Sequence, residues 1–456
     1  MAEVFERLQT VPAGAGGTAS RRRFHPDDRS RRLGLLVLRA AALASVVAGF
    51  LTFVLAPIRG TFTGEFEDFG AYIAAAHAVA GHSDIYAQFI HQPPNVALSG
   101  FDYPPVVAFL LQPLGWVPAS VAATFWLWLT IACTTAAAGI AAFELLPRAW
   151  PRLELTALAS FLYSAATYNY WHGQMNPVIF LLLALALRSW LHGQQTRFGI
   201  LIGVAASIKL APIILVVLMV RRGWWQAAIA CAATVTAGLV AGIAVLGFST
   251  LHEYVTGVLP VLSAQDGWLY NQSVSGVLNR LAGHAVLTPQ PASLVITLVT
   301  YAVLALMLAM LFLAVSPGMR SVRQRGAEFA AATLLMLLAG TVTWYPHYVS
   351  AIIAVFAAMA ILATQPAHRS RALLWSTVVF VASTALLAPV LIANVTSWTQ
   401  LASLSHSPFW WLLTQIASLP ALGAAAMFVA FTVTLRRSTL APVPQPAVRT
   451  EVASVT

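Results

Sequence analysis

Apolar runs of about 17–25 residues recur from one end of the chain to the other, each long enough to cross a bilayer as a helix. They are rich in Ala, Leu and Val with Gly and Pro interspersed, and they lack the period-two alternation of outer-membrane barrel strands. Spans are expected at about 33–57, 119–145, 292–315, 327–343, 348–364, 372–394 and 409–434. Two stretches break the pattern. The run 104–117 begins Pro104-Pro105, ends near Pro118 and is too short to cross, so it dips in and 119–145 makes the crossing. The run between Arg197 and Arg221 carries Lys209 near its middle, followed by Pro212. One straight span would put the basic pairs Arg188/Arg197 and Arg221/Arg222 on opposite sides. A hairpin of two short helices, 198–209 and 212–220, keeps them together and lifts Lys209 toward the outer face or a cavity. The expectation is an all-α polytopic membrane protein with roughly 10–12 spans and re-entrant or short broken helices.

Composition agrees. Mean hydropathy is +0.78, with 59% apolar and only 9% charged residues, which excludes a soluble globular domain. The net charge of +10 comes mainly from Arg at loop positions. It reads as a topology signal, not as nucleic-acid affinity. Residues 1–32 read as a basic cytoplasmic arm, 33–435 as the transmembrane domain and 436–456 as a disordered cytoplasmic tail, with no cleavable leader expected. Both termini then lie inside a plasma (inner) membrane, and 58–103, 249–291, the Thr343–His347 turn and 394–408 lie outside. Cys133 and Cys231 sit inside apolar runs and read as buried hydrophobes.

Against this background one polar stretch stands out. Glu65, Glu67 and Asp68 fall within four positions, in a chain with 15 acidic residues in all. A carboxylate held at a membrane face is costly, which makes function its default reading. Asp68 also suits a helix N-cap before Phe69–Ala80, a role that leaves Glu65 and Glu67 unexplained. On the expected topology Asp84, Asp102, His172, Gln174, Asn176, Asp266, Asn271, Gln272, Arg280 and His347 share the outer side with Asp68, and Lys209 joins them from the hairpin tip. Each has a plain alternative. Asp102 suits a cap before Pro104-Pro105, Lys209 a snorkelling anchor and Arg280 an interfacial anchor. His172, Gln174 and Asn176 could cap neighbouring helices, and His347 could bond only to backbone. The histidines lack metal-ligand spacing, so no metal site is assigned and divalent-cation assistance stays open. An outer site cannot use cytoplasmic nucleotides, and there is no phosphate-binding glycine loop. Its activated substrate would come dissolved in the membrane, as a lipid-linked donor.

The pieces Asp68-Phe69-x-x-Tyr72, Gly81-x-x-x-Ile85-Tyr86, Phe101-x-Tyr103-Pro104-Pro105, Gly173-Gln174-x-Asn176, Lys209-Leu210-x-Pro212, Asn271-Gln272-Ser273-x-x-Gly276 with Arg280, and Trp344-Tyr345-Pro346-His347 follow in this order over about residues 33–435. The series resembles bacterial membrane glycosyltransferases of the type-C fold known as family 87, which use polyprenyl-phosphate sugars. The resemblance implies an actinobacterial-type cell-envelope enzyme. Most of the well-known members take mannose from polyprenyl-phosphate-mannose to extend phosphatidylinositol mannosides, lipomannan or lipoarabinomannan. A minority use decaprenyl-phosphate-arabinose. The family's external acidic residue falls on Asp68 and its late histidine on His347, followed here by Tyr348 where relatives often carry a second histidine.

The expected reaction is an inverting transfer to a glycolipid hydroxyl. Asp68 acts as general base and His347 assists. Lys209 and Arg280 hold the donor phosphate. Glu67, Tyr72, Asp102, Tyr103, His172, Gln174, Asn176, Asn271, Gln272 and Trp344 bind substrate. A flippase or transporter of a lipid-linked sugar is the competing class.

Overall fold

The computed structural model describes residues 26–60, 66–91, 100–263, 267–283, 293–318, 321–364, 367–394 and 410–440. The expectations for the arm up to residue 25, Glu65, Asp266, 395–408 and the tail beyond 440 lie outside these residues. The described residues are helical, joined by turns and one isolated β-bridge. The principal α-helices are α1 (Pro26–Phe50), α2 (Glu67–Ala80), α3 (Pro105–Leu111), α4 (Ala119–Leu145), α5 (Arg152–Phe161), α6 (Ser164–His172), α7 (Asn176–Leu191) and α8 (Gln195–Ile208). After these come α9 (Val216–Arg222), α10 (Trp225–Leu246), α11 (Val274–Leu281), α12 (Leu294–Ala314), α13 (Val322–Ala339), α14 (Ile352–Leu362), α15 (Ala367–Asn394) and α16 (Leu419–Leu440).

Among the described residues six helical stretches are long and apolar enough to cross a membrane: Arg32–Ile58, Ala119–Leu145, Trp225–Leu246, Leu294–Ala314, Tyr345–Leu362 and Trp410–Arg437. Four shorter apolar helices, Pro105–Trp116, Asn176–Leu191, Gln195–Ile208 and Arg371–Ala385, complete the set. The protein is a multi-pass membrane protein. Its helices divide by exposure. α13 and α14 are buried almost all round, whereas α10 and α12 leave Ile229, Val240, Leu294, Val295 and Leu298 exposed. In an apolar chain such a surface faces lipid, which solvates it as well as a protein core would.

Small residues allow the close contacts. Gly199 on α8 meets α10 so tightly that a Cβ there would lie 2.1 Å from the Ala227 carbonyl oxygen. The dipping run is α3 followed by a 3₁₀ turn (Gln112–Trp116), as its flanking prolines suggest.

The broken hairpin forms. α8 stops at Lys209, whose backbone is extended. Pro212 supplies no N–H, and the chain resumes as a 3₁₀ turn (Ala211–Leu215) before α9. The two ends of the run return to one aromatic cluster: Trp190 lies 5.4 Å from Phe198 and 4.7 Å from Trp224. The Arg222 guanidinium covers the Trp190 ring and bonds to buried Glu328 at 2.6 Å. Arg188 and His192 pair with Glu144 at the end of α4. Basic side chains therefore collect at one end of the bundle, while Lys209 at the hairpin tip lies at the other.

Candidate functional site

The opposite end of α7, about 21 Å from the Trp190 cluster by helix rise, begins at Asn176. There the turn Gly173-Gln174-Met175-Asn176 joins α6 to α7. Gly173 has φ +67°, and a Cβ on it would lie 2.7 Å from the Phe69 Cβ, so glycine is required twice over. Its carbonyl accepts from Trp126 Nε1 at 2.7 Å, and Met175 N–H donates to the Tyr72 hydroxyl at 3.1 Å. The turn is thus clamped between α4 and α2.

Asp68 lies in the first turn of α2 with Glu67. Its expected capping role is not the one observed. The cap position is Phe66, a non-glycine residue at φ 50°, and no side chain caps the helix. Phe66 is held by its N–H bond to the Trp171 carbonyl at 3.2 Å. A left-handed non-glycine residue costs roughly 1–2 kcal/mol, and here it turns the start of α2 toward α6. Gln174 and Lys209 act on the Asp68 carboxyl to favour its ionised form, and Asp102 acts against it. Burial pushes Asp68 up from the ordinary carboxylate range to about 6, against the pull of Gln174 and Lys209. Burial likewise raises Asp102, opposed by Lys209.

Asp102 does not cap α3, which starts after Pro104. It lines a cleft of about 350 Å³ with Tyr103, Lys209, Trp344 and His347. Lys209, at the C-terminal end of α8 where the helix dipole favours a cation, reaches Asn176 Oδ1 at 3.3 Å and His347 Nε2 at 2.7 Å. An ammonium only donates, so His347 Nε2 accepts and its ring proton sits on Nδ1. The Tyr103 ring lies 5.9 Å from Lys209 Nζ, and its hydroxyl is 3.0 Å from that of Tyr72. The cleft shares Pro104, Leu210, Tyr254 and Leu259 with an almost wholly apolar groove of about 210 Å³ between α3, α8 and α10.

Other expected site residues lie elsewhere. Arg280 is fully buried. It donates to Ser418 Oγ and to the Trp268 and Asn271 carbonyls at 2.7–2.8 Å, and it is absent from the cleft lining. These contacts tie Arg280 to the loop Trp268–Asn271 and to Ser418. Asn271 bonds to the backbone of Thr341 and Thr343, and Gln272 to that of Leu269, Ala417 and Ala421. Both are interior joints, with Asn271 also forming the β-bridge to Trp344. His172 stacks on Tyr168, with centroids 4.1 Å apart, and does not line the cleft. Glu67 is exposed. Among the described residues no group of three or more His, Cys, Asp or Glu is placed to hold a metal ion.

One contributor was missed. Asn169, buried in α6, accepts from Asn176 and donates to the Pro346 carbonyl at 2.9 Å, fixing the 3₁₀ turn that carries His347. A lone Asn in Thr167-Tyr168-Asn169-Tyr170 has no pattern that announces this.

The sequence profile of glycosyltransferase family 87 matches residues 101–346, more than half of the chain. The chain belongs to glycosyltransferase family 87. The match includes Asp102, Lys209 and all but the last residue of the Trp344–His347 motif, and starts after Asp68. Among individual relatives of this family-87 chain, a Mycolicibacterium smegmatis protein is 27% identical over 280 residues. It is described as a polyprenol-phosphate-mannose-dependent alpha-(1-2)-phosphatidylinositol pentamannoside mannosyltransferase. The protein of the same description from Mycobacterium tuberculosis is 28% identical over 282 residues. The matches take in 59% and 58% of this chain and 64% and 60% of those proteins, so the chain spans less than two thirds of either relative. Among solved structures, ArnT from Cupriavidus metallidurans bound to undecaprenyl phosphate shows a weak likeness. Its TM-score is 0.38 at 14% identity, over 88% of this chain and 76% of that one.

Proposed function

We propose that this family-87 protein is an inverting glycosyltransferase that moves a sugar, mannose, from a polyprenyl phosphate to a hydroxyl of a glycolipid. The acceptor is of the phosphatidylinositol mannoside or lipomannan class. The observation that carries this reading is the junction of two cavities. A cleft holding one cation, Lys209, and one carboxylate, Asp102, opens into an apolar groove walled by Pro105, Val106, Gly238 and Gly242. That combination suits an anionic head on a long apolar tail. The two mycobacterial relatives, both described as mannosyltransferases, support mannose over arabinofuranose as the sugar. Family membership favours transfer over transport.

In the reaction the acceptor oxygen attacks the anomeric carbon, its proton passes to Asp68, and the bond from that carbon to the phosphate oxygen breaks. The departing polyprenyl phosphate carries one more negative charge, which Lys209 neutralises. A phosphate leaving group needs little acid help, so cation placement matters more than a proton donor. Neutral His347 accepts from Lys209 and so aims the ammonium instead of supplying the proton. Asp102 is the second reading for the base, because it borders the cleft directly. The basic loops at the far end of α7 support a site on the outer face, by the positive-inside rule.

The test is transfer by purified protein from short-chain polyprenyl-phosphate-mannose to a phosphatidylinositol mannoside. Asp68→Asn should reduce transfer to background while thermal stability and donor binding persist. Full activity in Asp68→Asn with loss in Asp102→Asn would move the base to Asp102. Transfer only from decaprenyl-phosphate-arabinose would replace the sugar.

A further inference from the structure

Gln174 and Asn176 do not border the cleft. Their side chains are committed to other protein groups, and the direction of every bond follows from one end. Lys209 can only donate, so Asn176 must turn its oxygen toward Nζ. The Asn176 amide nitrogen then points the other way, where it donates to Asn169 Oδ1 at 2.9 Å and Gln174 Oε1 at 2.5 Å. With that oxygen accepting from Asn176, the NH₂ group of Gln174 is the end left to serve the Asp68 carboxyl, whose ionised form Gln174 favours. Turning Asn176 over would set an NH₂ against an ammonium, and turning Gln174 over would set an amide oxygen against a carboxylate. The order Lys209, Asn176, Gln174, Asp68 therefore has one consistent polarity, with every donor aimed toward the acid.

We propose that Gln174 and Asn176 are positioning residues, a two-amide relay that locks the base Asp68 and the phosphate-binding Lys209 into one geometry. The roles of those two ends rest on the function proposed above; the relay itself rests on the bond directions. Aligned amide dipoles between a cation and an anion strengthen one another in a low-dielectric interior. The relay thereby favours the ionised form of Asp68 at a site where burial opposes it. It also makes the distance between base and leaving-group cation a fixed property of the Gly173–Asn176 turn. The other titratable groups that act on Asp68 are Glu67 and Tyr72 on α2, and Asp102 and Tyr103 before α3.

Two readouts test this in the full chain, reconstituted in lipid nanodiscs. In the first, Gln174→Leu and Asn176→Leu should lower kcat roughly 10²-fold with donor KM little changed, as expected for misplacement of reacting groups by about 1 Å. The acid limb of the pH–rate profile should move to higher pH, because removing a donor to the carboxylate raises its pKa. In the second, carbodiimide labelling of Asp68 across a pH series, read by mass spectrometry, follows its protonation without any turnover. Its midpoint should lie near pH 6 in the wild type and rise in both variants, and Gln174→Asn should recover part of the shift. A raised donor KM with an unmoved pH profile would make the two amides substrate contacts. Loss of thermal stability with an unmoved labelling midpoint would make them purely structural. Either outcome overturns the relay. A wild-type protein that transfers from no donor would refute the proposed function alone, since the labelling midpoints still report on the relay.

Discussion

Burial sorts the cations of this protein into two kinds. Arg280 and Arg222 are enclosed and tied to carbonyls or to Glu328, whereas Lys209 stays half-buried beside a cleft. Replacing Arg280 by Met strands several buried acceptors, each costing about 1–3 kcal/mol. It should lower the melting temperature by many degrees in a thermal-shift assay and leave donor KM unchanged in the folded fraction. Lys209→Met should do the reverse, raising donor KM with little loss of stability. Asp68 gives a signed pH dependence. Its folded-state pKa of about 6 lies above its ordinary value of 3.8, so the folded form prefers the neutral acid. That contribution to stability is present at low pH and is lost as pH rises through about 6, the same range in which the ionised base becomes available. Stability measured from pH 5 to 8 should therefore fall more in wild type than in Asp68→Asn, while wild-type transfer rises. The rarity of charge in this chain made Asp68, Lys209 and His347 legible as candidates. Arg280, Asn271 and Gln272 stood out as polar groups in an apolar chain, and in the structure their side chains reach backbone groups away from the cleft lining. A polar side chain spent on distant carbonyls looks, in sequence, like one waiting for a ligand.

At the level of elements, the hairpin of α8 and α9 was readable because two independent signals agreed: the basic pairs at both ends and the Lys-Leu-x-Pro break between them. Hydropathy carried no sign of the π-helical segments Leu51–Leu55 and Tyr254–Val258. Such bulges depend on backbone bonding, not on which residues are apolar. The α8–α10 contact rests on small residues, and overpacking it costs typically about 1–3 kcal/mol. Gly199→Val places methyl groups against the Ala227 carbonyl and should lower thermal stability. Because Lys209 sits at the end of the same helix, the variant should also lose transfer activity. An enlarged residue at the exposed, lipid-facing Ile229, such as Ile229→Phe, should be neutral in both assays.

At the scale of the whole molecule, polar chemistry and basic loops occupy opposite ends of shared helices. Thr196→Cys, next to the basic cluster, and Ala282→Cys, beyond α11 on the cleft side, are both at exposed positions. The native cysteines, Cys133 and Cys231, are buried. In intact cells a membrane-impermeant thiol reagent should label Ala282→Cys and spare Thr196→Cys, and the opposite pattern would invert the proposed topology. The joints around Arg280 and Gln272 carry a further consequence. Their partners Ser418, Ala417 and Ala421 come 138–149 residues later in the chain. Asn271, next to Gln272, braces Thr341 and Thr343 in the strip that leads to Trp344 and His347. During synthesis the ribosome has therefore made every catalytic candidate, and the membrane has received most of the spans, before the partners that hold this wall arrive. A nascent chain interrupted ahead of the last helix would hold every candidate side chain while still lacking the late partners of Arg280 and Gln272.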